Sequence, residues 1–272
     1  MGDSEPLRVA FVGWGAIARA ACRLLEDREA GAPIAVVAVA VRDASMSRED
    51  LPAGARLVTE PADLAAVAPD VVAEAAGRDG VAPWGRAALA AGADYLVSSV
   101  SALADPDLLA ELRELADRHG VRLEVQPGAL GGIDALSAAR PMGLDAVEHR
   151  IVKPPAAWRG TPAEVRCDLD GLDGPRAFFE GTAGESATAF PANANAAMTT
   201  ALAGVGPEAT WVVLVADPSA TSNRHEVTAT GAFGRLEVAI ANDPLPGNPK
   251  SSAMAALNLA RCLRARAERF VV

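Results

Sequence analysis

The six residues Gly13-Trp14-Gly15-Ala16-Ile17-Ala18 constrain this chain more than any other stretch. They follow an apolar run, Leu7 to Val12, that reads as a β-strand. They lead into Ile17 to Leu25, whose apolar residues recur at helical spacing. In a G-x-G-x-x-G/A turn the first glycine permits the tight bend and the second lets another group approach the backbone. The third small residue lets helix and strand pack closely. Unpaired N–H groups at the helix start, with the helix dipole, then favour an anion. Strand, turn and helix in this order mark a dinucleotide site, with a pyrophosphate resting on the helix N-terminus. Gly13, Gly15, Ala16 and Ile17 are the expected contacts, with Ala76 where the third strand runs out. NAD sites favour an acidic residue after the second strand and NADP sites an arginine. Arg42 followed by Asp43 permits NAD or NADP.

The rest of the first half repeats this alternation. Strands are expected at Ile34 to Val41, Val71 to Ala75, Tyr95 to Val100 and Val121 to Gln126. Helices are expected at Leu64 to Ala68, Val81 to Ala91 and Asp105 to His119, the last opened by Asp105-Pro106. Such alternation means a parallel sheet flanked by helices. After Gly131 the pattern changes. A helix over Gly132 to Ala139 precedes alternating runs at Ala146 to Val152, Val165 to Leu169, Trp211 to Ala216, Glu226 to Thr230 and Arg235 to Ile240. Alternation fits an antiparallel or mixed sheet with one face packed. Thr188 to Gly204 is Ala-rich and helical, and Ser251 to Arg266 forms a final helix. The expected fold is α/β: a Rossmann-type dinucleotide-binding domain over 1–138, then an α+β domain with a mixed sheet over 139–244. Residues 245–272 are expected to pack back on the first domain.

Half of the 272 residues are apolar and 22% are charged, enough for a sizeable core and against disorder. A net charge of −10 weighs against nucleic acid, which needs a basic stripe. Three widely spaced cysteines, Cys22, Cys167 and Cys262, argue for a reducing compartment and against a disulfide framework or a metal site. The acidic start Met1 to Pro6 lacks the features of a secretion signal, and no apolar run reaches membrane length. A cytoplasmic protein without a membrane partner is expected. Of 25 basic residues only Lys153 and Lys250 are lysines, both beside prolines. A lysine kept among so many arginines can serve as a compact point charge that a guanidinium cannot imitate, and chance survival on the surface is the plainer alternative.

Ordered motifs run on from residue 101. They include Ser101-Ala102-Leu103-Ala104-Asp105, Pro127-Gly128-Ala129-Leu130-Gly131-Gly132-Ile133-Asp134-Ala135-Leu136 and Lys153-Pro154-Pro155-Ala156-Ala157-Trp158. Phe190-Pro191-Ala192-Asn193-Ala194-Asn195, Asn223-Arg224-His225-Glu226-Val227 and Asn248-Pro249-Lys250-Ser251-Ser252-Ala253 follow. In these motifs the chain resembles the L-aspartate dehydrogenase family along nearly its whole length. The resemblance implies oxidative deamination of L-aspartate to iminoaspartate, and so to oxaloacetate and ammonia, or the reverse reductive amination, with NAD or NADP. It also implies that the imine can feed NAD biosynthesis, that the catalytic histidine is His225, that Ala129 and Asn195 touch the coenzyme, and that the protein is a homodimer. The chain departs from the family at Ala18 and Ser101, both glycine there, at Gly184, commonly arginine, and at Ala196-Ala197-Met198.

The implied chemistry agrees with the residues. Hydride leaves the α-carbon only when the amine is neutral, so a base must take a proton, and histidine suits that work. His119 precedes Gly120 at a helix C-terminus and reads as a structural cap, while His149, beside Arg150, reads as a surface residue. His225 enters a strand from a loop, where functional residues concentrate. A dicarboxylate also needs cations: Lys153 and Lys250 are the candidates, with Arg159 behind them, and Lys250 is in the first turn of the last helix. Asn193 and Asn195 flank a helix start. One is expected to cap it and the other to reach the coenzyme, Asn195 being favoured for the coenzyme and Asn193 for substrate. Asp105, Asp107, Glu111 and Glu114 fit a solvated helix face, and Asp217 shapes the loop before His225. The rivals are a dihydrodipicolinate reductase- or homoserine dehydrogenase-like enzyme, a coenzyme-sensing regulator without turnover, and an interaction module, which the want of a basic patch or peptide groove disfavours.

Overall fold

The computed structural model describes residues 5–26, 34–46, 48, 50–246 and 248–272, with the side chains of Pro249 and Lys250 outside the described set. The chain divides into two compact units, residues 1–126 with 256–272, and residues 127–255.

In the first unit, β1 (Leu7–Val12), α1 (Ala16–Glu26), β2 (Ile34–Ala40), β3 (Arg56–Val58), α2 (Leu64–Val67), β4 (Val71–Glu74), α3 (Arg78–Ala90), β5 (Asp94–Val97), α4 (Pro106–His119) and β6 (Leu123–Val125) follow in order. All six strands are parallel, in the order β3-β2-β1-β4-β5-β6. Val9, Phe11, Val71, Ala73 and Leu96 are buried, as central parallel strands covered on both faces must be. Both ends of α4 are set locally. The Asp105 carboxylate accepts from the N–H groups of Asp107 and Leu108 to start α4, and Gly120 at φ 66° ends it. The order reverses between β1 and β4, so the loops leaving these strands frame the crevice where such sheets bind ligands.

The second unit holds α5 (Ile133–Ala139), β7 (Leu144–Lys153), β8 (Arg176–Thr182), α6 (Ala183–Ala189), α7 (Asn195–Ala203), β9 (Thr210–Ala216), β10 (Asn223–Gly231), β11 (Gly234–Asn242) and the two-stranded β12 (Pro244–Leu245) and β13 (Asn248–Ser252). Its main sheet runs β11-β10-β7-β9-β8, with only β7 and β9 parallel. From β13 the chain continues into α8 (Ala253–Ala267).

Several expectations need correction. Val165 to Leu169 is not a strand: Pro162 opens a short 3-10 turn there, since proline lacks the N–H a ladder needs. The strand is instead β8, whose Phe178-Phe179 pair and single charged neighbours hide its period. Thr188 to Gly204 splits into α6 and α7 because Pro191 interrupts the helix. Residues 127–138, expected with the first domain, lie in the second unit: Leu136 packs with Val147, Val227 and Ala229, and the Asn242 amide donates to the Ala129 carbonyl at 2.9 Å. Residues 245–255 also belong to the second unit, as the β12–β13 pair and the start of α8.

Only the later part of α8 joins the first unit. Leu259, Ala260 and Leu263 are fully buried against Val9, Phe11, Ala21 and Leu96. Arg266 ties the helix end to two neighbouring strands, with its guanidinium 3.4 Å from the Asp94 carboxylate and 2.5 Å from that of Glu124. Replacing Leu263 by alanine therefore leaves a cavity under the parallel sheet. Urea unfolding should show a loss of about 2–5 kcal/mol, and an unchanged midpoint would mean that α8 does not hold this core together.

Candidate active site

The turn after β1 is shaped by close packing. Gly13 has φ +86°, and a Cβ there would lie 2.7 Å from Ala76 Cα and 2.8 Å from the Ala75 carbonyl oxygen. No side chain fits, because the chain leaving β4 crosses directly against it. At Gly15 nothing lies within 4 Å of the Cβ position, leaving open space at the start of α1. Ala18 is fully buried in the helix–sheet interface, so its small side chain fulfils the packing role of the motif's last position.

Glu74, at the end of β4, is fully buried and organises the adjoining loops. One oxygen accepts from Ala76 N at 2.7 Å, Gly77 N at 3.0 Å and the Ser99 hydroxyl at 2.8 Å. The other accepts from Ser98 N at 3.2 Å and Ser99 N at 2.8 Å. Burial pushes its pKa up while these bonds pull it down. The Ser98 hydroxyl, beside it, is buried without a partner among the described residues. Open space over Gly15, helix N–H groups and an orphaned hydroxyl past β5 suit a dinucleotide. At the end of β2, Arg42 is exposed, and Asp43 accepts from Ser45 N at 2.8 Å and the Ser45 hydroxyl at 2.6 Å.

In the second unit the register of β7 and β10 builds a separate cluster. His225 pairs with Ile151, and Val227 with His149. His149 and His225 are therefore diagonal neighbours on one face, close enough for two rings to meet. His149 Nε2 lies 3.1 Å from His225 Nδ1, and the Thr200 hydroxyl of α7 lies 2.9 Å from His149 Nδ1. The expectation that His149 is a surface residue is overturned: it is 0% exposed, and its inward direction follows from sharing a face with Val147 and Ile151. Burial pushes His149 down to about 3. His225 is also lowered well below its ordinary value, first by burial, then by His149 and by the Lys153 charge. Both rings are neutral near pH 7. Among the described residues nothing hydrogen-bonds His225 Nε2, so this nitrogen remains for a reacting group.

Lys153 shares the same face of β7. Its ammonium donates to Asn193 Oδ1 at 2.7 Å and lies 4.7 Å from the centre of the Trp158 ring. No carboxylate pairs with it among the described residues, and burial lowers its pKa to about 8. Such a cation is placed to receive a ligand's carboxylate. Asn193 closes a 3-10 turn, and Asn195 is the first residue of α7. Neither is the cap of α7, a correction to the expectation above, since the cap position is Ala194. The Ala129 carbonyl is held by Asn242. Lys250 is on β13, before the last helix and not in its first turn, and its side chain lies outside the described residues. Among the described residues no cluster of His, Cys, Asp and Glu could hold a metal.

The chain is 50% identical to an L-aspartate dehydrogenase of Brucella anthropi, over 97% of this chain and 98% of that one. The corresponding enzyme of Pseudomonas aeruginosa is 40% identical over 94% and 96%. The chain belongs to the L-aspartate dehydrogenase family. Residues 134–266 match the family described as aspartate dehydrogenase, C-terminal, and residues 13–126 match the NAD binding domain of homoserine dehydrogenase. The crystal structure of aspartate dehydrogenase from Thermotoga maritima superposes with a TM-score of 0.78 at 26% identity, covering 98% of this chain and all of that one. A homoserine dehydrogenase from Thiobacillus denitrificans, at 16% identity and a TM-score of 0.60 over 96% of this chain and 74% of that one, shares the fold alone.

Within this family member, the residues missed by sequence reasoning are His149, Thr200, Trp158 and Glu74. Alternation along the middle of β7 carried the signal for His149; for Thr200, beside Thr199 in an Ala-rich helix, there was none. The buried neutral histidines give a pH test. In the unfolded chain each takes a proton near 6.5, whereas in the folded protein it resists until well below. Stability is therefore full above that value and declines as pH falls through it. Thermal unfolding from pH 7 to 5, above most carboxylate titrations, should show a falling Tm, and a flat profile would contradict buried neutral rings.

Proposed function

We propose that this chain is an NAD(P)-dependent L-aspartate dehydrogenase, deaminating L-aspartate to iminoaspartate, and so to oxaloacetate and ammonia, or running the reverse amination. The observation that carries the reading is a buried neutral imidazole on the same sheet face as an ammonium without a carboxylate partner, in a member of this family. The nicotinamide coenzyme, when bound, accepts or returns the substrate hydride.

The unit with the glycine turn takes the coenzyme, and the mixed-sheet unit takes the substrate. Gly13, Gly15, Ala16 and Ile17 would offer backbone to the pyrophosphate, Arg42 would meet the adenosine ribose and Ala76 the nicotinamide end; in the second unit, Ala129 and Asn195 are the coenzyme contacts that the family resemblance implies. His225 Nε2 takes a proton from the substrate ammonium, leaving the neutral amine that hydride loss requires. Lys153 holds a substrate carboxylate and Asn193 orients the lysine; Lys250 is a further cation for the second carboxylate. An acidic protein can hold a dicarboxylate in this way because the local charge, not the net charge, decides binding. The same reading has the protein as a cytoplasmic homodimer with no nucleic-acid or membrane partner; among the described residues no helix is long and apolar enough to cross a membrane.

The deciding assay follows loss of NADH or NADPH with oxaloacetate and ammonia, beside pyruvate and 2-oxoglutarate. Consumption with oxaloacetate alone is expected, and consumption of neither coenzyme overturns the substrate assignment. His225→Ala should lower kcat by about 10²–10⁴-fold while coenzyme still binds; unchanged turnover would favour a sensor over an enzyme. Lys153 loses its charge as pH rises through about 8, so the KM for L-aspartate should rise above that pH. Lys153→Met should raise KM about tenfold or more and abolish that pH limb.

A further inference from the structure

Neutral imidazole carries one N–H, so two rings joined Nε2 to Nδ1 share a single proton at that contact. The Thr200 hydroxyl extends the chain, 2.9 Å from His149 Nδ1. Only two arrangements satisfy every member. In one, His225 carries its proton on Nδ1 and donates to His149 Nε2, and His149 Nδ1–H donates to Thr200 Oγ1. Then His225 Nε2 presents a lone pair. In the other, the Thr200 hydroxyl donates to His149 Nδ1, His149 Nε2–H donates to His225 Nδ1, and His225 Nε2 carries a hydrogen and cannot act as a base.

We propose that His149 and Thr200 are positioning residues that hold His225 in the first arrangement, with Nδ1–H turned inward and the Nε2 lone pair presented to the substrate amine. This rests on the role of His225 proposed above. When Nε2 takes the proton, the new imidazolium already donates its Nδ1–H to His149, and nothing else must move. His149 can play this part because it stays uncharged: it is fully buried among Val147, Ile151 and α7. A charged His149 would repel the imidazolium at 3.1 Å. The other charged group facing His225 is Lys153 on β7. Glu226 and Arg150, which pair with each other, alternate to the opposite face of their strands.

Thr200→Val removes the hydroxyl and nearly keeps the shape. An N–H left unpaired in a dry site costs more than a lone pair, so the chain should swing to the second arrangement. Nitrogen-15 spectra of ring-labelled protein read this directly and need no substrate. In the wild type His225 should show a protonated Nδ1 and bare Nε2. In Thr200→Val the assignment should reverse, and Thr200→Ser should restore it. Should the valine protein fail to fold, Thr200→Ala makes the same deletion in a residue any helix accepts. In the assay kcat/KM should fall about tenfold, less than for loss of the base itself, and equally in both directions because the reaction equilibrium is unchanged. Serine should recover it. A wild-type His225 with hydrogen on Nε2, or a tautomer indifferent to Thr200, overturns the relay. If the tautomers behave as stated but oxaloacetate is not reduced, the relay stands and the substrate reading fails.

Discussion

Two imidazoles 3.1 Å apart in a buried sheet face cannot both be charged, and the inner ring must find a partner for its second nitrogen. That requirement dictates much of the second unit. The antiparallel register of β7 and β10 brings the rings together, since sliding either strand by one residue would send its histidine to the opposite face from the other. Helix α7 must then present a hydroxyl to His149 and exclude water with Ala197, Met198 and Ala201, all fully buried. The outcome is one ring tied down on its inner nitrogen and free on its outer one. A group that stays uncharged at neutral pH is what the proposed amine deprotonation needs, and burial supplies it without a neighbouring carboxylate.

The first unit solves the reverse electrostatic problem. Its glycine turn must attract an anion although a carboxylate, Glu74, is buried beside it. Five hydrogen bonds from the loops after β4 and β5 occupy both oxygens of that side chain, so both are committed to shaping the loops. The N–H groups at the start of α1 are left for the ligand. The close approach of Ala75 and Ala76 to Gly13 follows from the same loop, which explains why the first glycine of the motif admits no substitute.

The parts of the site open to sequence reasoning were those governed by neighbours along the chain. The Gly13 turn, the burial of the Ala18 side chain and the Asp105 cap on α4 depend on residues within a few positions, and all were legible. The boundary of the second unit was not, because Leu136 and Ala129 are claimed by partners around a hundred residues further on or nearly so, Val227 and Asn242. The false strand at Val165 and the missed β8 have the same origin. A short apolar stretch takes its conformation from whichever sheet edge it meets, and proline decides only where the strand is not.

His149 marks the division most clearly. Its sequence neighbours are Glu148 and Arg150, and beside two charges a histidine reads as solvent-facing. Sequence alone determined the chemistry available: a glycine turn for a dinucleotide, three histidines, two lysines, and the motif that singles out His225. Tertiary structure decided which of those groups meet. It turned His149 inward, set Thr200 behind it, and placed Lys153 against Trp158 and Asn193. Hydrogen bonds of about 3 Å between residues 76 and 51 positions apart depend on strand register and helix docking, which no local preference encodes.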